Sequence, residues 1–353
     1  MRGGAEEPMP DLDAKERPEQ TAAPGENSGP KSPTELPKSS WWGVLKRTVK
    51  EFDNDELMDW AAGLTYYSVM SIFPALLVIT AVLGLLGPDA TQSLIDNINA
   101  LGIGQGRDIV VNAIQEMQQS KGTGGILAIL GIAAALWSAS AYVGAFIRAS
   151  NVIYEIGEGR PLWKTLPLRM LLTIAMVLLL AVAAVGVVAT GQLAERLGQA
   201  LGIGSTGVLV WEILKWPVIA VLVSLAFALL YWAAPNVRHP RPGFRWITPG
   251  SALAVLLWLV ASAGFAVYVG NFGSFNKTYG SLAGVIVFLV WLWISNIAVL
   301  LGVEFDSELA RAQRMAAGQQ PEQEPFLPPR DTRAMDERER AEVSALEGGR
   351  AEE

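Results

Sequence analysis

Six separate stretches of this chain, at 62–86, 125–147, 166–190, 208–233, 247–269 and 281–303, are long, apolar and nearly free of formal charge. A bilayer core of about 30 Å needs about 20 helical residues to cross it, and each stretch meets that length. Lipid offers the backbone no water, so a spanning segment has to satisfy its own amides, and a helix does this within one segment. The chain therefore reads as an all-α, polytopic membrane protein with about six transmembrane helices.

Orientation follows from the Lys and Arg residues, which favour the cytoplasmic side. Lys46, Arg47 and Lys50 precede the first stretch. Arg148, Arg160, Lys164 and Arg169 frame the second connection, Arg238, Arg241 and Arg245 fill the fourth, and Arg311 and Arg314 follow the last stretch. The odd connections are poorer in cations. Both termini are thus expected in the cytoplasm, with six spans giving the same parity.

The ends differ from the middle. Residues 1–40 are rich in Pro, Glu, Ser and Gly and lack an apolar run, which predicts a disordered cytoplasmic tail. Residues 311–353 read the same way, with a solvated helix over 331–346 as the variant. The working unit is then a six-helix domain over 41–310. At 100° per residue Trp41, Trp42, Leu45, Val49 and Phe52 share one face, opposite Lys46, Arg47, Lys50 and Glu51, which predicts an N-terminal interfacial amphipathic helix. The Asp53–Glu56 run supplies cap residues for a bend into the first span. Two short amphipathic patterns between the first and second spans predict helices on the outer surface.

Chemistry has little to work with. The absence of cysteine removes disulfides, iron–sulfur clusters and thiolate zinc sites. The single histidine, His239, lies in a basic proline-rich loop, no phosphate-binding glycine loop is present, and no basic face suggests nucleic acid. The expectation is a non-enzyme with no catalytic residues, no metal site and no cofactor.

The polar residues inside the spans are the informative ones. Thr65, Tyr67, Ser68, Ser71 and Pro74 form a stripe on the first span, and Pro74 frees the carbonyl of Met70. Such a stripe either lines a wet path or glues helices together. Both readings stand at this point. On the last span Gly284, Trp291, Ser295 and Gly302 share a face that must pack closely on a neighbour. Asn296, near its middle, needs a partner. Asn271, Asn276, Lys277, Tyr279 and Gly280 mark a candidate outer mouth, and Arg148, Asn151 and Glu304 a candidate inner side.

The runs "GLTYYSVMSIFPALLVI", "LWSASAYVGAFIRASNVIY" and "YVGNFGSFNKTYGSLAGVIVFLVWLWISNIAVLLGVEFDSEL" resemble the YihY/virulence factor BrkB family of bacterial inner-membrane proteins. The resemblance spans 41–309, and the Tyr-Gly-Ser-Leu motif before a Trp-rich last span is its most specific part. It implies a six-helix membrane protein, and puts Tyr67, Ser71, Pro74, Asn151, Tyr268, Tyr279, Gly280, Trp291 and Glu304 on recurring motif positions. Family members carry the label ribonuclease BN, regarded as a mistaken transfer. The resulting expectation is transport, or lipid and envelope handling, of a small anionic or amphipathic solute. The competing one is a non-transporting scaffold or partner-binding protein, and ribonuclease activity is disfavoured. The expected partners are the lipid bilayer and that solute, with no nucleic acid, and small-residue helix faces leave homo-oligomer formation open.

Overall fold

The computed structural model describes residues 35–85, 124–188, 205–238, 248–271, 281–318 and 325–352. Eight helices lie among the described residues: α1 (Lys38–Asn54), α2 (Leu57–Leu85), α3 (Gly124–Ile153), α4 (Leu162–Val188), α5 (Ser205–Ala233), α6 (Pro249–Asn271), α7 (Ser281–Ala316) and α8 (Glu337–Glu352). Helices α2 to α7 coincide with the six apolar stretches. Four of them carry segments long and apolar enough to cross a membrane: Leu162–Ala183, Ile213–Ala233, Pro249–Val269 and Gly284–Ala316. Helices α2 and α3, with 29 and 30 residues, have spanning length and occupy the first two expected positions.

Each bundle helix packs on its neighbour in the chain, and α7 closes the ring against α2, with further contacts of α7 to α3 and of α2 to α4. The start of α2 and the ends of α3, α5 and α7 meet at one end of the bundle, so successive helices alternate in direction. Buried apolar side chains gather at one end, built from the start of α2 (Leu57, Ala61, Leu64), the end of α3 (Phe146, Ile147, Ile153), the end of α5 (Leu230, Tyr231) and the later part of α7 (Val299, Leu300, Val303). We call this the basal end. The outer faces of α4 to α6 stay greasy: Leu171, Leu180, Ile213, Trp216, Leu256 and Val260 are all exposed. A contiguous apolar belt of this kind belongs against lipid.

The ring is held together by close backbone approach and by polar pairs. A Cβ on Gly250 would lie 2.1 Å from the Gly302 carbonyl oxygen, and one on Gly302 would meet the Gly250 oxygen at 2.6 Å, so α6 and α7 touch where neither has a side chain. The Trp291 indole donates to Ser262 (3.1 Å) and that of Trp258 donates to Ser295 (3.2 Å), fastening the same pair reciprocally. The predicted close-packing face of α7 thus meets α6 through Trp291, Ser295 and Gly302. Gly284 departs from the expectation, being exposed with open space around it.

The amphipathic N-terminal helix is present as α1, and the chain turns at Asp55 and Glu56, whose φ is 53°. Its faces sort differently from the expectation. Val44 and Thr48 are buried and Trp41 packs beside Phe305 of α7, while Trp42, Leu45 and Val49 look outward. Arg47, expected on the solvent side, is ion-paired with Glu308.

The disordered tail expected from 311 onward does not hold over 311–316, which continue α7, or over 325–352. Phe326 and Leu327 are buried in the basal core, and the segment after them forms a strap. An isolated bridge joins Val237 to Pro329, Arg238 N donates to Pro328 O (2.8 Å), and Ala334 N donates to Gly159 O (2.8 Å). Two large apolar side chains in a polar tail supply the driving force, at about 1.5–3 kcal/mol for each fully buried side chain. The expected outer helices between the first two spans lie outside the described residues.

Candidate functional site

The hydroxyl stripe of α2 bonds mostly to its own helix. Thr65 Oγ1 donates to Ala61 O (2.7 Å), Ser68 Oγ to Leu64 O (2.8 Å) and Ser71 Oγ to Tyr67 O (2.7 Å). Hydroxyls bonded four residues back meet their need without a partner helix. The side chain of Pro74 lies outside the described residues. Among the described residues Thr65 alone of the three carries a second bond, because its oxygen accepts from Asn296 Nδ2 (3.1 Å).

Asn296 is the centre of a polar clamp. It is buried, its Nδ2 also donates to Leu292 O (3.0 Å), and its Oδ1 accepts from the Tyr142 hydroxyl (3.0 Å). Helices α2, α3 and α7 are thereby pinned at one point. Below it Tyr142, Phe146, Tyr231 and Phe227 stack in sequence, with ring centroids 6.3–6.5 Å apart, and the Tyr231 hydroxyl donates to Val299 O (2.6 Å). Both amide hydrogens of Asn296 are in use.

A second polar cluster sits on the far side of α3. Arg169 lies seven residues into α4, about 10 Å along it. Its Nε donates to Ser140 Oγ (2.9 Å), and the guanidinium lies 5.8 Å from the Trp137 ring centre. A Cβ on Gly144 would approach this guanidinium to 3.1 Å, so the glycine makes room for it against α3. Arg148 and Tyr67 act on it electrostatically. Among the described residues neither Arg148 nor Arg169 is ion-paired with a carboxylate. The cluster is open at the side, since Tyr66, Trp137 and Arg148 are exposed.

The remaining inner-side candidates separate from Arg148. Asn151 accepts the Asn236 backbone N–H (2.8 Å) and donates to Glu158 (2.9 Å), and Glu158 holds Arg160 through a 2.6 Å ion pair. It locks the ends of α3 and α5 together. Glu304 is buried and hydrogen-bonded to Asp55 at the bend between α1 and α2. Burial, opposed by that bond, raises the Asp55 pKa to about 6. Beside this pair Arg311 bridges Glu308 (3.2 Å) and Glu155 (2.6 Å), and its guanidinium covers the Phe326 ring at 4.5 Å. The outer-mouth candidates Asn276, Lys277, Tyr279 and Gly280 lie outside the described residues, as does the side chain of Asn271 at the end of α6.

Comparison with known proteins fits this architecture. A model of the family described as virulence factor BrkB matches residues 48–326, from the second half of α1 to the first residues of the strap. The chain belongs to the BrkB family. Among BrkB relatives, a protein named putative ribonuclease-like protein YfkH from Bacillus subtilis is 28% identical over 80% of this chain and 98% of its own length. A UPF0761 membrane protein from Alkalilimnicola ehrlichii is 29% identical over 76% of this chain, which spans 59% of that relative's length. Another from Tolumonas auensis is 39% identical over 28% of this chain and 33% of its own. No solved structure matches. The ribonuclease-like name belongs to that relative. Among the described residues of this BrkB protein no group of three His, Asp or Glu side chains is placed to hold a metal ion.

Sequence reasoning picked Thr65, Asn296 and Arg148 but missed Arg169 as a site residue, because a lone cation near a helix start reads as flanking charge. It also missed Tyr142 and Ser140. The available signal was the pairing of an arginine inside one apolar run with a glycine and a serine four residues apart in another.

Proposed function

We propose that this BrkB-family protein binds and moves an anionic amphipath, with the Arg148–Arg169 cluster receiving the charged headgroup and the open side between α2, α3 and α4 receiving the tail. One observation carries this: an arginine within a membrane-spanning helix that bonds a hydroxyl and faces no carboxylate among the described residues. A cation at membrane depth costs about 2.5–3.5 kcal/mol on insertion scales, and such residues pair or mark a substrate path. An anionic ligand supplies the missing partner, and guanidinium groups suit phosphate or carboxylate. The basic loops support both termini lying in the cytoplasm, which sets the cluster in the inner half of the bilayer. α1 then rests at the inner interface with Trp42, Leu45 and Val49 turned to lipid. Lys277 at the outer mouth remains the matching cation on the other side.

The scaffold reading is favoured by the Asn296 clamp and the stacked rings below it, which fill the centre between α3, α5 and α7. It predicts no loss of function specific to the arginines. Proteoliposome assays of headgroup movement, using a fluorescent acidic phospholipid and a zwitterionic one, separate the two. Loss in Arg169→Ala and Arg148→Ala, with partial retention in Arg169→Lys, supports transport. Equal rates in all variants and in empty liposomes remove it and leave the scaffold.

A further inference from the structure

A cavity of about 290 Å³ opens at the basal end, lined by Lys164, Arg238, Pro329, Arg330, Asp331, Thr332 and Arg333 and by neither Arg148 nor Arg169. Four cations face one carboxylate. The lining joins three parts of the fold: the first turn of α4, the chain just after α5, and the strap.

Asp331 does not neutralise the rest. Its Oδ2 accepts from Lys164 (2.8 Å) and from Arg333 Nη2 (2.7 Å), and its Oδ1 accepts from Arg333 Nε (2.9 Å) and Arg333 N (3.1 Å). The Arg333 and Lys164 hydrogen bonds hold its carboxyl well below the usual carboxylate range, so it stays ionised and fully engaged. Arg330 is fixed by neutral groups instead: Nε donates to Val237 O (2.7 Å), Nη2 donates to Trp232 O, and the guanidinium covers the Trp232 ring at 5.2 Å. The Arg238 side chain makes no hydrogen bond or ion pair among the described residues. Among the described residues, Arg330 and Arg238 therefore have no carboxylate partner.

The cavity is also preorganised. The strap is clamped by Arg330 N to Asn236 O (2.9 Å), Asn236 Nδ2 to Asp331 O (2.8 Å) and Asp331 N to Asn236 Oδ1 (3.2 Å). Gly159 is required beneath it, because a Cβ there would lie 1.9 Å from the Asp331 carbonyl oxygen. Lys164, Arg330 and Arg333, held in place before binding, lose little entropy when the ligand arrives. Beside the rim, Lys164 and Arg333 both sit on the Trp163 ring (5.4 and 5.1 Å), and Leu162 and Trp163 are exposed, as residues at a membrane interface are. Basic pockets at the cytoplasmic ends of spanning helices suit acidic lipid headgroups.

We propose that this cavity is a second anion site, taking a phosphate group through Arg238, Arg330, Lys164 and Arg333. The phosphate comes either from an acidic phospholipid of the inner leaflet or from a soluble phosphate compound. The site does not depend on the Arg148–Arg169 reading.

The test is thermal unfolding of the full chain in detergent with three probes: phosphatidylglycerol, phosphatidylcholine and inorganic phosphate. A ligand of the folded state raises the midpoint with its concentration. Wild type is expected to respond to phosphatidylglycerol or to phosphate but not to phosphatidylcholine. Arg238→Gln, which removes no hydrogen bond or ion pair among the described residues, should require about five times more ligand for the same shift, as should Arg333→Gln. Arg169→Ala should leave the shift caused by inorganic phosphate intact. A response to phosphatidylglycerol alone assigns the lipid source, and one to inorganic phosphate assigns the soluble source. The proposal is overturned if neither probe shifts wild type, or if both glutamine variants respond like wild type. It is also overturned if Arg169→Ala alone removes every response.

Discussion

The two polar clusters of the bundle, one around Asn296 and one around Arg169, hold residues of similar polarity at opposite sides of α3 and end in opposite states. The Asn296 amide has both hydrogens and its oxygen engaged by Thr65, Leu292 and Tyr142. Arg169 has one hydroxyl and an aromatic ring. A closed hydrogen-bond set joins helices, since a partly satisfied buried network would weaken the bundle. An open charge does the reverse: it leaves free energy to be released by whatever anion arrives.

The comparison breaks most visibly at Arg169. Arg169→Ala should lower movement or retention of an acidic lipid in proteoliposomes by at least about thirtyfold, the effect of removing one partner of a hydrogen-bonded charge pair at about 2 kcal/mol or more. The unfolding midpoint should hardly fall. Asn296→Leu should do the converse, lowering stability by about 1–3 kcal/mol because the buried Tyr142 hydroxyl loses its acceptor. Transport per folded molecule is then unchanged, and a proportionate loss of both would merge the clusters into one site.

A subtler difference concerns pH at the bend. The folded-state pKa of Asp55, about 6, lies above its ordinary 3.8. Its contribution is therefore fully present at low pH and is lost as pH rises from about 4 through about 6. Glu51, Glu304 and Glu308 face it with Arg311. Midpoints measured from pH 4 to 7 should decline more steeply in wild type than in Asp55→Asn, and parallel curves would remove Asp55 as the source. Smallest of all, Ser71→Ala should change stability by no more than about 0.5 kcal/mol, as among the described residues its hydroxyl bonds only within α2. A large loss of transport in this variant would restore the wet-path reading of the stripe.

Helix positions were legible because membrane insertion sums over a segment. The stretches 125–147 and 208–233 became α3 and α5 with ends moved by a few residues. The last helix was read too short, at 281–303. Glu304, Asp306, Glu308 and Arg311 end the apolar run but not the helix, which continues because they pair with Asp55, the start of α6 at Gly250, Arg47 of α1, Glu155 after α3 and each other. The tail was misread for a related reason. Phe326 and Leu327 are too few to raise the local hydropathy, yet they fill the basal core.

Sequence alone determined that this chain is all helical, where its apolar helices lie and which end of the bundle is basic. Those properties depend on the transfer free energies of contiguous residues, which add along the chain whatever the neighbours are. Tertiary structure decided which polar groups are satisfied. Asn296 and Thr65 are 231 residues apart, Arg169 and Ser140 are 29 apart, and Lys164 and Asp331 are 167 apart. A hydrogen bond or ion pair depends on distance in space between two specific atoms, so only the folded ring could separate the fully bonded Asn296 amide from Arg169, which meets a hydroxyl and an aromatic ring.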